Sequence, residues 1–327
     1  MTTNDDRPEH RPERTLTVPR MGRRSLLGGA TALAAGGAAF AVSGGTASAG
    51  GAPRTDSPLR IIPIPAQVPA TEGYAPVPGG RLWYWDTGGR GTPVIFMHPG
   101  SGSGEIWPYQ QPYFAKAGYR VIGYSRRGYY KSSAPSADDP GTGSEDLHAL
   151  VRHLRIRRFH LVGVAAGGGV ALDYALSYED RLLSLSLSGS LTGIKNQEYV
   201  DMLERLRPPS FHDNPTDFIE LGPTYRALNP GGVAAWNAIH DRADTSDVGQ
   251  GNVHSPTWDD VERLRVPTLL LWSDGDLYSP PSVQRVMAKH FRNVETAVAN
   301  ECGHAPHWER SDYYNPTLRK FLRRHSR

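Results

Sequence analysis

The amino-acid sequence predicts an α/β fold in which a mostly parallel sheet carries helices on both faces. Apolar runs of strand length alternate with segments of helical periodicity along most of the chain, which is typical of this fold class. Runs such as 93–97 and 119–124 have no polar alternation, which indicates strands buried on both faces. Residues 194–256 break the pattern with helical patches and Pro, Asn and Gly residues, so we predict an inserted helical cap there.

The predicted strands begin with two short edge strands, bounded by Gly and Pro, at 59–64 and 82–86. Further strands are predicted at 93–97, 119–124, 182–187, 266–272 and 294–299, and in the apolar run that begins at Phe159. Helices are predicted at 105–116, 145–154, 281–291 and 316–323. The helix at 145–154 has a defined start, because Thr142 and Glu145 form a capping box ahead of an apolar face.

The stretch at 159–173 is the central feature of the sequence. An apolar run passes through Gly163-Val164-Ala165-Ala166-Gly167 directly into a helical pattern that continues to about residue 178. Such a reversal of a strand into a helix is a nucleophile elbow, which lifts its central side chain over the edge of the sheet. Gly163 and Gly167 are needed because Cβ atoms there would collide in so tight a turn. The central position should hold Ser, Cys or Asp, but it holds Ala165, which has no nucleophilic atom.

The first 49 residues have the features of an export signal. A polar, Arg-rich segment ends in Arg23-Arg24, a Gly- and Ala-rich apolar run follows, and Ala-Ser-Ala at 47–49 is a small-x-small cleavage site. The alternative is a membrane anchor, but the glycine-broken run is short of the ~20 strongly apolar residues of a span. We therefore expect a cleaved twin-arginine signal peptide at 1–49, a flexible lead-in at 50–58 and one secreted domain at 59–327, without a stable membrane span.

The charge of the chain does not indicate a nucleic-acid partner, and its cysteine content does not allow an intramolecular disulfide. The chain has 36 basic and 33 acidic residues, and the first 49 residues hold six of the former and four of the latter, which leaves 30 and 29. This balance gives no indication of the clustered basic face that binds nucleic acid. The single cysteine, Cys302, excludes an intramolecular disulfide and is predicted to be a small buried residue.

No cofactor and no metal are predicted. The His, Cys and acidic residues show no metal-ligand spacing. The glycine runs at 100–104 and 167–169 lack the Lys-Ser/Thr ending of a P-loop, and they lack the Gly-x-Gly-x-x-Gly spacing with a downstream acid that binds dinucleotides.

Five motifs in one order make residues 60–325 similar to the α/β-hydrolase superfamily. They are the loop His98-Pro99-Gly100-Ser101, the turn 125–132 in which Ser125 replaces the usual Asp, the elbow, the acid loop 273–280, and the pair Gly303-His304. No single motif is specific, but their shared order is. The resemblance implies a mostly parallel eight-stranded sheet with an inserted helical cap.

The resemblance also implies a catalytic pair. Asp276 would hold the imidazole of His304 in the tautomer and orientation of a general base, opposite Ala165. Asp274 lies on the same loop and is the alternative acid. The spacing to Pro280 favours Asp276.

The remaining predicted site residues bind the substrate. The backbone N–H groups of Gly100 and Ala166 would form an oxyanion hole, since Pro99 has no N–H. A pocket for a small apolar or aromatic molecule is predicted from Ser101, Trp107, Tyr129, Tyr225, Trp236 and Trp308. For the aromatic residues of the cap, packing within the cap core is an equally good explanation.

Two sequence patterns narrow the resemblance further. The Gly-His-x-x-x-Trp-Glu pattern at 303–309 and the glycine loop at 100–104 look most like carbon–carbon bond hydrolases of aromatic ring-cleavage products. Esterases and haloperoxidase-like proteins are next. Val164 and Tyr109 depart from the first branch, in which Asn is usual at both places.

Ala165 leaves three functions open. The first is a hydrolase of esters, lactones or similar acyl bonds, whose serine has been replaced or is naturally absent. The second is a serine-independent enzyme, of carbon–carbon hydrolase or lyase type, in which His304 and Asp276 act as a general base. The third is a ligand-binding protein without catalysis. The sequence does not predict an oligomeric state.

Overall fold

A computed structural model describes residues 58–244 and 246–326. The signal peptide predicted at 1–49, and all of the predicted lead-in except Pro58, lie outside the described residues. Within the described part of the chain, no helix has both the length and the apolar composition needed to cross a membrane.

Eight strands form one sheet in the order β1-β2-β4-β3-β5-β6-β7-β8. The pairs β1–β2 and β2–β4 are antiparallel, and every other neighbouring pair is parallel. The predicted mostly parallel, eight-stranded sheet is thereby confirmed. The strands are β1 (Thr71–Val77), β2 (Gly80–Asp86), β3 (Pro93–Met97), β4 (Arg120–Tyr124), β5 (Phe159–Val164), β6 (Leu182–Ser188), β7 (Thr268–Ser273) and β8 (Val294–Ala299).

Apolar side chains cover both faces of the sheet. Along β3, Ile95 and Met97 join one buried cluster, whereas Val94 and Phe96 join a second cluster on the opposite face. This explains the absence of polar alternation in the strand. The helices are α1 (Gln111–Lys116), α2 (Gly143–His153), α3 (Ala166–Tyr178), α4 (Gln197–Leu206), α5 (Thr216–Glu220), α6 (Pro223–Leu228), α7 (Pro230–His240), α8 (Trp258–Arg263), α9 (Pro281–Ala288), α10 (Pro306–Glu309) and α11 (Ser311–Arg324).

The first edge strand differs from the prediction. Residues 59–64 form no strand, and the edge strand is β1, which pairs with β2 from Thr71 opposite Asp86 onward. Pro63 and Pro65 account for the difference, because proline has no N–H to donate to a sheet.

Two helices differ from their predicted bounds by more than three residues at one end. Turns and bends occupy the first half of the predicted helix at 105–116, and only α1 is helical, beyond the interruption at Pro108. The last helix, predicted at 316–323, already begins at Ser311. It holds Pro316 in its interior, at the cost of one backbone hydrogen bond.

The parallel strands bring the predicted motifs to one edge of the sheet. Met97 pairs with Gly163 near the ends of β3 and β5, and Ser273 pairs with Ala299 at the ends of β7 and β8. The loops that follow these strands therefore meet, as ligand-binding loops do in open α/β sheets. Helices α4 to α8 lie between β6 and β7 in the chain. The last residues of α5 and α7 are Glu220 and His240, and both belong to the site described next.

Candidate active site

The elbow at the end of β5 is a strained turn. Ala165 has φ 50° and ψ −119°, a conformation that costs a residue with a Cβ about 1–3 kcal/mol. A Cβ on Gly163 would lie 2.7 Å from the carbonyl oxygen of Gly167, and a Cβ on Gly167 would lie 2.5 Å from the carbonyl oxygens of Met97 and His98. Glycine at both positions therefore lets the turn close, and the methyl group of Ala165 lines a cavity.

Asp276 and His304 form a hydrogen-bonded pair beside this turn. The Nδ1 atom of His304 lies 2.8 Å from Oδ2 of Asp276, and both residues are buried. Asp276 also accepts hydrogen bonds from the backbone N–H groups of Tyr278 and Ser279 and from the Ser279 hydroxyl, at 2.8–2.9 Å. These contacts fix the carboxylate, so Nδ1 of His304 donates to it and Nε2 is left as the nitrogen that can accept a proton.

Asp274, the alternative acid of the sequence analysis, has another role in the structure. Its carboxylate accepts hydrogen bonds from the backbone N–H groups of Glu301 and Cys302, at 3.1 and 3.2 Å. It joins the two loops that hold Asp276 and His304.

The charges around His304 favour its protonated form. Burial of the imidazole opposes protonation, but the carboxylate of Asp276, together with Glu220 and Glu309, outweighs burial and raises the pKa of His304 above its usual 6.5. A base with a raised pKa binds its proton more tightly than a free imidazole does.

Gly100 and Ala166 line the same cavity and lie close to each other. A Cβ on Gly100 would lie 3.7 Å from the Cβ of Ala166, and neither N–H donates a hydrogen bond within the described part of the chain. The buried ring of His98 holds the Gly100 loop, because its Nδ1 lies 2.7 Å from the Pro99 carbonyl and its Nε2 accepts from the N–H of Arg126. The two backbone N–H groups of Gly100 and Ala166 can donate hydrogen bonds to an oxyanion.

The cavity has a volume of about 540 Å³, which is within the range of small-molecule pockets. The predicted residues Gly100, Ser101, Ala165, Ala166 and His304 line it. Several further lining residues are not in the predicted set, chief among them Leu191, Arg207, Glu220, His240, Asn252 and Tyr278. Among residues 58–244 and 246–326, no group of three or more His, Cys, Asp or Glu side chains could hold a metal ion.

Most of the predicted aromatic pocket residues do not line this cavity. Four of them are buried in the apolar cluster on one face of the sheet, namely Trp107, Tyr225, Trp236 and Trp308. Tyr129 contacts the ring of His98 and the guanidinium group of Arg126 instead. Packing, the alternative explanation for the cap aromatics, accounts for Tyr225 and Trp236, and it accounts equally for Trp107 and Trp308, because all four fill the same apolar cluster against the sheet.

Glu220, at the end of α5, is an acid that sequence reasoning missed. Its Oε2 accepts a hydrogen bond from the Ser101 hydroxyl at 2.5 Å, and its backbone carbonyl accepts from the N–H of His304 at 2.7 Å. Burial raises the pKa of the Glu220 carboxyl. His240 reaches the same loop, where its Nδ1 lies 3.0 Å from the Ser101 carbonyl oxygen. No local pattern in the sequence indicates these contacts.

Glu309 joins the cap to the loop of His304. Its carboxyl group accepts hydrogen bonds from the backbone N–H groups of Gly222, Gly303 and Ala305, at 2.8–3.3 Å. Burial raises the pKa of Glu309 to about 8, against the effect of these three donors. The contacts place the cap segment that holds Glu220 directly beside His304.

Comparison with known proteins identifies a family that matches most of the chain. The family model described as alpha/beta hydrolase fold matches residues 92–311. A 2-hydroxy-6-oxononadienedioate/2-hydroxy-6-oxononatrienedioate hydrolase from Burkholderia vietnamiensis is 29% identical over 269 residues, which is 75% of this chain and 91% of that protein. Alignments with relatives such as this one cover nearly the whole length of each relative.

Two solved structures share the fold. A bromoperoxidase from Bacillus anthracis has a TM-score of 0.66 at 25% identity, over 77% of this chain and 100% of that one. A thermophilic esterase from Thermogutta terrifontis has a TM-score of 0.65 at 23% identity, over 80% of this chain and 100% of that one.

Proposed function

Because the chain belongs to the alpha/beta hydrolase fold family, we propose that it hydrolyses an ester, lactone or similar acyl bond of a small apolar or aromatic molecule. Water activated by His304, and not a side chain, attacks the carbonyl carbon. The observation that carries this proposal is the shared cavity of His304, paired with Asp276, and the free N–H groups of Gly100 and Ala166.

The reaction follows from these positions. Nε2 of His304 removes a proton from water as the water oxygen bonds to the carbonyl carbon. The N–H groups of Gly100 and Ala166 stabilise the resulting oxyanion, and one such donor contributes roughly 3–4 kcal/mol in known enzymes. Collapse of the intermediate breaks the bond to the leaving oxygen, which takes up one proton. Water is thereby divided between a carboxylic acid and an alcohol.

Water is the nucleophile in this proposal because the side chain of Ala165 has no nucleophilic atom. A serine at an elbow gives its proton to the histidine and attacks the carbonyl itself. The methyl group of Ala165 has no proton to give and no lone pair to attack with. The proton that His304 removes therefore comes from water.

Hydrolysis of a panel of short-chain aryl esters and lactones by the purified full chain tests the proposal. We expect each ester to release acid and alcohol in equal amounts and each lactone to give a single hydroxy acid, in proportion to protein concentration. A folded protein that binds these compounds and hydrolyses none of them would contradict the proposal and favour a ligand-binding function.

The pH dependence of the reaction is a second expected result. His304 must be neutral to accept a proton, and its pKa is raised above 6.5. We therefore expect kcat/KM to be low in acid and to rise through a midpoint above 6.5. Asp276→Asn removes the main group that raises this pKa and should lower the midpoint. A pH profile of the parent chain with a midpoint below 6.5 would contradict the assignment of His304 as the base.

We also propose that the protein is exported by the twin-arginine pathway, on the basis of Arg23 and Arg24 and the cleavage site at 47–49. Replacing both arginines with lysine is expected to abolish export of the chain expressed in a bacterium with this pathway. Immunoblots of the exported fraction measure the loss, and mass spectrometry of the exported protein should find an N-terminus after Ala49. Equal export of the double variant would contradict the pathway.

A further inference from the structure

We propose that Glu220 is the general acid of this reaction and donates a proton to the leaving oxygen while His304 holds the proton taken from water. This role rests on the proposed hydrolysis. Protons balance over a turnover, because the proton on His304 then returns through solvent to the Glu220 carboxylate. The products are the same acid and alcohol.

The position of Glu220 is the first part of the argument. It lines the cavity with His304 and Gly100, and the hydrogen bond from the His304 N–H to its carbonyl oxygen fixes its backbone beside the base. Its Oε2 atom accepts the hydrogen bond from the Ser101 hydroxyl. The other oxygen, Oε1, has no hydrogen-bond partner among the described residues and is not among the fully buried unpaired atoms, so it is free to donate a proton from a residue that lines the cavity.

The surroundings of Glu220 raise the pKa of its carboxyl group and so favour its protonated form. Burial, the largest influence, disfavours the charged carboxylate, and Asp276 acts in the same direction. His304, His240 and the Ser101 hydroxyl oppose this effect without reversing it, and Tyr278 also lies within electrostatic range. The two carboxyl groups thus have different tasks, since Asp276 is bound to His304 and Glu220 is not.

The chemistry of the leaving group supplies the need for such an acid. An alkyl alcohol is a poor leaving group unless it is protonated as its bond to carbon breaks, whereas a nitrophenol leaves readily as its anion. General acid catalysis contributes about 10²- to 10⁴-fold in known enzymes. At that stage His304 already carries the proton taken from water. Glu220, on the cap, then supplies a second proton to the leaving oxygen.

Hydrolysis of a series of esters by Glu220→Gln tests the role. The esters share one acyl group and range from nitrophenyl to alkyl leaving groups. We expect kcat/KM for the alkyl esters to fall at least about 100-fold, within the range of general acid catalysis, and kcat/KM for the nitrophenyl ester to change little. With the alkyl esters, we expect the parent chain also to lose activity at high pH, as Glu220 loses its proton, and the variant not to show this loss.

Two further variants separate catalysis from structure. Glu220→Asp keeps a carboxyl group and should recover part of the alkyl-ester activity. Glu204→Gln makes the same change at an exposed position of α4 that does not line the cavity, and it should match the parent chain. Thermal unfolding of each variant verifies that the fold is retained.

The outcomes that overturn the role differ from those that overturn the reaction. If Glu220→Gln lowers the rate of all esters equally, or of none, Glu220 is not the proton donor. If the parent chain hydrolyses no ester at all, the proposed hydrolysis itself is wrong, and the general acid is rejected with it.

Discussion

Replacing Ala165 with serine is expected to raise ester hydrolysis by at least about 100-fold and to change its course. A triad serine contributes roughly 10⁶-fold to turnover in a known hydrolase, and here Asp276, His304 and the two N–H donors are already in position. The serine hydroxyl would become the nucleophile, and an acyl-enzyme would form before water attacks. Steady-state kinetics with a nitrophenyl ester measure the gain.

The covalent intermediate provides a second readout of the serine variant. Ala165→Ser should gain the mass of one acyl group on rapid quenching, and it should release a first equivalent of alcohol in a burst. Ala165→Gly changes the same side chain without supplying a nucleophile and should show neither effect. A folded Ala165→Ser protein with no gain in rate and no adduct would show that the elbow does not present its side chain to the substrate.

Replacing His304 with alanine is expected to lower hydrolysis by the parent chain about 10²- to 10⁴-fold, the usual contribution of a general base. Asp276→Asn should cost a similar factor, because the imidazole then loses the carboxylate that fixes its tautomer. Steady-state rates on one ester measure both losses.

His153 provides the control for the histidine variant. It is exposed on α2 and lies outside the cavity, so His153→Ala should retain the parent rate. If His304→Ala also retained the parent rate, neither a general base nor the dyad could account for the activity.

Local sequence patterns were sufficient for most of the fold. Strands β3, β4, β5 and β7 are predicted because each is a largely apolar run, and both of their faces are buried. The start of α2 follows from Thr142, whose hydroxyl accepts a hydrogen bond from the N–H of Glu145 at 3.3 Å. The first edge strand was missed, since Leu59 begins a run as apolar as the true strand and only the prolines argue against it.

Local patterns were not sufficient for the cavity wall. The elbow glycines and the Asp276 and His304 loops follow strands, so their meeting is a consequence of parallel topology. Glu220 reaches Ser101 only because the cap folds back over the sheet, and no spacing between residues 119 apart encodes that contact. The same folding buries Trp236, which the sequence analysis predicts to be part of the substrate pocket.

The time course of the first turnover of the unmodified chain tests the central claim most directly. If water activated by His304 attacks the substrate, alcohol release is linear from the first turnover and the mass of the quenched protein is unchanged. A burst equal to the protein concentration, with an acyl group bound to a side chain, would contradict the claim and identify a nucleophile other than water.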